Sequence, residues 1–210
     1  MIQRHIYDTE DRWLDGRKGL FTASRISELL TKPRKGYNKY VLEKFAEIIA
    51  PGEPNFTTND MQRGKDLEPQ AVLKYAEIRG LDINADDFIY TSIGGVVFFT
   101  ELDYNIGGTP DIILSDRICE IKCPKSKQHL EYMLVKDWRE LPTEYICQMQ
   151  INMYLCEREK CDFITYDDRV YDNRHMIKII EVDRDEEIIN NILQAAKKGA
   201  EIIKQLNLQL

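Results

Sequence analysis

Gly108-Thr109-Pro110-Asp111 and, with its glutamate nine residues beyond the aspartate, Cys119-Glu120-Ile121-Lys122 set two acids and a base in a β-rich stretch. Side chains alternate along a strand, so Glu120 and Lys122 share one face while Cys119, Ile121 and Cys123 take the other. The apolar members then face a core, and the acid and base project together from the opposite side. A hairpin turning near Ser115-Asp116-Arg117 folds Asp111 back beside Glu120, which gathers two carboxylates and an ammonium. Phosphodiester hydrolysis uses such a set. Hard oxygen ligands hold Mg²⁺ or Mn²⁺, the metal polarises the phosphoryl group, and a lysine orients the attacking water. The plain alternative is an edge hairpin carrying one solvated salt bridge.

Working outward, Phe88-Ile89-Tyr90, Val96 to Phe99, Asp111 to Leu114 and Ile118 to Cys123 are short, β-branched or aromatic, and separated by turn residues. Before them the period is helical. Thr22 to Thr31 forms a short helix with Ala23, Ile26, Leu29 and Leu30 on its apolar side. A second helix runs from about Tyr37 to Ala50 and is stopped by Pro51-Gly52-Glu53-Pro54. A third spans about Asp60 to Arg79, with Leu67, Ala71, Val72 and Tyr75 at helical spacing and Gly80 as its stop. Beyond the strands come helices near Ser126–Val135 and Pro142–Cys156, and strands over Asp162–Tyr166 and His175–Val182. A final amphipathic helix over about 184–208 sets Ile188, Ile189, Ile192, Ala196, Ile203 and Leu206 on one face. The order predicts an α/β protein with a mixed central sheet flanked by helices. No repeat or linker interrupts residues 1–210, so the expectation is a single domain.

The chain has 210 residues, 43% of them hydrophobic and 31% charged, which is ordinary globular composition. No apolar run is long enough to span a bilayer, and charged residues rather than an apolar segment follow the first five, so neither a membrane anchor nor a secretory signal is expected. Five cysteines without a CxxC pair read as free thiols in a reducing cytoplasm. The histidines His5, His129 and His175 lack metal-ligand spacing and read as surface or packing residues. No phosphate-loop motif is present, which excludes ATP-driven unwinding by this chain. The net charge of −7 argues against a polyanion partner, but its distribution does not. Residues 15–40 hold seven basic side chains against two acidic ones, a local +5, while Asp82 to Asp111 holds six acids and no base. Such a division suits a polyanion and its metal ions, as well as mere surface patchiness.

Asp111…Glu120-x-Lys122 resembles the PD-(D/E)xK nuclease motif, and the likeness extends further. Gly19-Leu20-Phe21-Thr22-Ala23-Ser24, then Lys32-Pro33-Arg34, Gly64-Lys65-x-x-Glu68, Glu120-Ile121-Lys122-Cys123-Pro124 and Tyr145-x-x-Gln148-x-Gln150 resemble, in order, blocks of the lambda-exonuclease and YqaJ-type viral recombinase family. The blocks cover about residues 13–170. The resemblance implies a restriction-endonuclease-like core and a Mg²⁺-dependent 5′→3′ exonuclease, with Mn²⁺ as a substitute. Such an enzyme degrades one strand of linear double-stranded DNA to mononucleotides and leaves a 3′ single strand for recombination. Asp111, Glu120 and the backbone carbonyl of Ile121 would hold metal, Lys122 would position the water, and Glu68 would orient the acid–base set. Arg17, Ser24, Thr109 and Gln148 match the pocket for a terminal 5′-phosphate, with Thr109 standing where the family carries a serine. Arg34, flanked by Lys32 and Lys35, matches a DNA-gripping position. A further upstream acid is either Glu101 or Asp103. The family further implies a homo-oligomeric ring, as a trimer, and a single-strand-annealing recombinase partner in a phage- or prophage-bearing bacterial cell. An endonuclease using the same metal site, and a silent DNA-binding module, are the competing functions; the Arg17/Ser24/Gln148 set favours the exonuclease.

Overall fold

The computed structural model describes residues 1–32, 38–50, 58–92 and 95–209. Among the described residues there are nine strands, β1 (Ile2–Tyr7), β2 (Phe21–Thr22), β3 (Ile89–Tyr90), β4 (Val96–Glu101), β5 (Ile106–Gly108), β6 (Ile112–Ile113), β7 (Ile118–Lys122), β8 (Lys160–Tyr166) and β9 (Ile177–Asp183), and the helices α1 (Glu10–Gly16), α2 (Lys39–Ile49), α3 (Asn59–Arg79), α4 (Ser126–Leu134), α5 (Thr143–Leu155) and α6 (Glu186–Gln209). The α/β class holds, but the sheet is divided. β3-β6-β7-β8-β9 form one mixed sheet and β1-β4-β5-β2 a second. The first has β7 and β8 parallel and its other pairs antiparallel, with Glu120 opposite Phe163 and Lys122 opposite Thr165. The second pairs β1 with β4 and β4 with β5 antiparallel, and β5 with β2 parallel.

α5 is the hub between the sheets. Every residue from Ile146 to Met153 is buried. Cys147, Ile151 and Leu155 pack with Phe21, Ile26 and Ile106 and with Ile189, Ile192 and Ala196 of α6. Met149 and Met153 pack on the other side with Ile118, Phe163 and Val182. The opposite face of the five-stranded sheet carries α3, whose Leu67, Ala71, Val72 and Tyr75 meet Ile112, Cys119, Ile121 and Ile164. Truncating a buried side chain such as Ile121 to alanine costs about 2–5 kcal/mol. The expected alternation of β7 therefore holds, with Cys119 and Ile121 toward α3 and Glu120 and Lys122 toward α5.

Thr58 caps α3 by accepting the amide of Met61, and Gly80 ends it at φ +65°, where a side chain would be strained. Ala23–Leu30 is a 3-10 helix rather than an α-helix. Its buried residues Ala23, Ile26 and Leu29 recur every third position, the period at which a 3-10 turn stacks side chains, and Leu30 is exposed. His129 is a packing residue, bonded to Thr165 Oγ1 at 2.8 Å and the His175 carbonyl at 2.7 Å. All five cysteines are free thiols. Among the described residues no helix is long and apolar enough to cross a membrane.

Candidate active site

The hairpin of β6 and β7 brings the motif together. Asp111 donates its amide to the Cys119 carbonyl at 3.0 Å, and its Oδ2 accepts the Ile121 amide at 2.6 Å. Glu120, 2% exposed, accepts Lys122 Nζ at 2.5 Å and Gln148 Nε2 at 2.6 Å on one oxygen, while its other oxygen is buried without a partner among the described residues. Lys122 also stands 4.9 Å from the centre of the Tyr145 ring and 3.4 Å from Gln148 Oε1. Burial works against its charge, but the Glu120 and Asp111 carboxylates outweigh that and raise Lys122 above the ordinary lysine range. Burial, with the neighbouring Glu120 and Glu68, pushes Asp111 well above the usual carboxylate range. Glu68 on α3 is raised by burial and by Glu120, and its carboxylate accepts the Tyr90 hydroxyl at 2.9 Å and the Ser92 hydroxyl at 3.5 Å.

Crowded, partly dry carboxylates with an unpartnered oxygen are what a divalent cation relieves. Among the described residues no three His, Cys, Asp or Glu side chains close on one point, so the donor set that fits is Asp111 and Glu120 completed by main-chain carbonyl and water.

Beside this set lies a cavity of about 700 Å³. Asp111 and Glu68 form part of its wall, as do Arg17, Ser24, Thr109 and Gln148. These elements lie far apart in sequence: Arg17 follows α1, Ser24 opens the 3-10 helix, Thr109 leaves β5 and Gln148 projects from α5. Arg17 stacks its guanidinium 4.1 Å from the centre of the Trp13 ring, and burial lowers its pKa from the usual arginine value. Thr109 Oγ1 is buried without a partner among the described residues. Gln148 belongs to both groups, forming cavity wall while bonding Glu120 and Lys122.

Residues 12–159 match the YqaJ-like viral recombinase domain, which is most of the chain. The chain belongs to the YqaJ-like viral recombinase family. No curated protein sequence matches it. The crystal structure of LHK-Exo, an alkaline exonuclease from Laribacter hongkongensis, is 27% identical over 95% of this chain and 97% of that one, with a TM-score of 0.74. A complex of LHK-Exo with dAMP is similar at the same identity and TM-score over 93% of each chain. A phage-related exonuclease from Haemophilus somnus, 18% identical over 89% of this chain and 96% of that one, shares the fold at a TM-score of 0.60. The fold is the PD-(D/E)xK-like fold of these exonucleases.

The other residues expected of a YqaJ-like site lie elsewhere. Glu101, at the end of β4, is held by the Met1 ammonium at 2.9 Å and by the Tyr154 hydroxyl. Asp103 accepts the same ammonium at 3.2 Å and is exposed. Neither belongs to the cavity wall described above. Lys32 is exposed just beyond the 3-10 helix; Arg34 and Lys35 lie outside the described residues.

Three contributors escape sequence reasoning. Tyr90 holds Glu68 across 22 positions, with no motif to link them. Thr91 Oγ1 donates to the Pro110 carbonyl at 2.6 Å and so fixes the turn into Asp111. Trp13, beneath Arg17, was legible in principle, because residues four apart on a helix stack.

Proposed function

We propose that this protein is a metal-dependent 5′→3′ exonuclease that degrades one strand of linear double-stranded DNA to mononucleotides, leaving a 3′ single strand for recombination. The observation that carries this is the cavity, in which a cation and neutral donors suited to a terminal phosphate share a wall with Asp111 and Glu68. Arg17 supplies charge, and Ser24, Thr109 and Gln148 supply donors, the Thr109 hydroxyl being without a partner among the described residues. Lys122 is poised as a cationic donor that orients the attacking water and offsets negative charge growing on the phosphoryl oxygens. Glu68, held by Tyr90, keeps its acid directed at this set. Mg²⁺ or Mn²⁺, held by Asp111, Glu120 and the Ile121 carbonyl, would supply Lewis-acid polarisation of the phosphodiester. Glu101 and Asp103 would join only by releasing the Met1 ammonium. That a homologous exonuclease was captured with dAMP supports mononucleotide release.

Lys32, with Arg34 and Lys35, grips the duplex in this reading. The chain acts as one nuclease domain of residues 1–210 that assembles into a homo-oligomeric ring, a trimer, with its basic segment toward the DNA. It works beside a single-strand-annealing recombinase in the cytoplasm of a phage- or prophage-bearing bacterium. The test is duplex DNA labelled at either end, with 5′-phosphate or 5′-hydroxyl termini, incubated with Mg²⁺ or EDTA. The expected result is metal-dependent release of the 5′ label as mononucleotide, slower from a 5′-hydroxyl end and lost in Lys122→Ala. Cutting of closed circles would show an endonuclease instead, and binding without cleavage a silent module. A solution mass of only monomer with DNA and Mg²⁺ present would refute the ring.

A further inference from the structure

Two buried carboxylates bracket β8, Asp162 near its start and Asp167 just past its end, and both receive side chains from α3. At one end Tyr75 and Arg79 donate to Asp162 at 2.7 and 2.8 Å, and Arg117 donates to its other oxygen at 3.1 Å. At the other end Arg63 donates through Nη2 to Asp167 at 2.9 Å and to Asp168 at 2.8 Å. Its Nη1 donates to the carbonyls of Cys123 at 3.1 Å and Pro124 at 3.2 Å. Arg169 closes this network by donating to Asp167 at 2.8 Å and to the Pro124 carbonyl at 3.2 Å. The two anchors are not equivalent. Cys123 directly follows Lys122, and Glu68 sits on α3 between Arg63 and Arg79, so of the two it is the Arg63 anchor that ties the helix bearing Glu68 to the strand end bearing Lys122, alongside the exposed Lys125–Asp60 pair at 2.8 Å.

We propose that Arg63 is a positioning residue that sets Glu68 and Lys122 at their working separation. The proposal rests on the nuclease reading of this site. A guanidinium suits the task because its planar fork reaches two carboxylates and two carbonyls at once, which a lysine ammonium does only in part. Asp167 keeps Arg169 when Arg63 is lost, so Arg63→Met leaves no buried charge wholly unpaired.

The experiment compares Arg63→Met, Arg63→Lys and Arg79→Met in the full chain. Each is followed by steady-state cleavage of 5′-phosphorylated duplex, by thermal melting, and by amide hydrogen exchange. Arg63→Met is expected to lower kcat by about ten- to a hundredfold with KM within about twofold, the signature of misplaced groups rather than weakened binding. Arg63→Lys is expected to recover part of kcat, and Arg79→Met to keep kcat within about twofold of wild type despite a lower melting temperature. Exchange at residues 120–123 should quicken in Arg63→Met and not in Arg79→Met. The inference is overturned if Arg63→Met keeps wild-type kcat, if it loses no more kcat than Arg79→Met, or if exchange at 120–123 is unchanged. A wild-type protein that does not cleave DNA sinks the nuclease reading by itself, and the exchange comparison then decides whether Arg63 anchors the Lys122 strand.

Discussion

Gln148 donates its amide N–H to Glu120 while its oxygen accepts from Lys122, so removing it disturbs the acid–base pair and the cavity wall together. Arg17 forms part of the cavity wall and stacks on Trp13 without bonding Glu120 or Lys122 among the described residues. Gln148→Leu is therefore expected to lower kcat and raise KM for a 5′-phosphorylated end together, whereas Arg17→Ala raises mainly KM; steady-state kinetics on both variants checks the split. Gly108 offers a second test. A Cβ there would lie 2.2 Å from Asn152 Oδ1 and 3.0 Å from Leu155, and among the described residues both polar atoms of the Asn152 amide are buried without partners. Gly108→Ala is expected to cost about 1–3 kcal/mol, and less in an Asn152→Ala background where the obstructing amide is gone; urea melts of the four proteins measure the coupling. At this scale the sequence was informative where period or motif applied. Alternation put Glu120 and Lys122 on one face, and the nine-residue interval folded Asp111 beside them. The partners Tyr90 and Thr91 were hidden because hydrogen bonds between separate elements leave no periodic trace.

The period of α3 was plain because one face packs on the sheet, and the same logic located α6. β1 and β5 were missed for opposite reasons. β1 lies at the rim of its sheet with half its residues exposed, so its six residues mix charge with isoleucine. β5 is Ile106-Gly107-Gly108, and glycine carries no strand signal. Gly107 is there because Phe98 fills the space, its ring reaching 2.3 Å from where a Cβ would stand. α1 was missed as well, although Thr9 caps it by accepting the Arg12 amide at 3.3 Å. α6 supplies the prediction at this scale. Alanine in place of a helical glycine ordinarily stabilises by about 1 kcal/mol, but a Cβ at Gly199 would meet the buried Phe21 ring at 2.7 Å. Gly199→Ala is thus expected to lower the melting temperature, and a rise would show that Phe21 yields.

Across the whole molecule, the division into two sheets was not legible, because strand order follows from contacts between distant segments. The buried carboxylates beside β8 tie the five-stranded sheet to α3, and Asp167 shapes its response to acid. Burial opposes ionisation of Asp167, but hydrogen bonds from Arg169 and Ser126 outweigh it and hold the carboxyl at about 2. Its unfolded value is about 3.9, so its contribution is fully present above about pH 4 and is lost as the pH falls through about 2. Urea melts between those limits should show stability falling more steeply in wild type than in Asp167→Asn. The cavity wall has another consequence. Its Thr22–Ser24 segment rests on Phe21 and Ile26, which pack against Ile189, Ile192 and Ala196 of α6, the last of these elements to leave the ribosome. A nascent chain still lacking α6 thus carries every acid and base of the motif without a supported pocket, so a competent nuclease waits until α6 has been made.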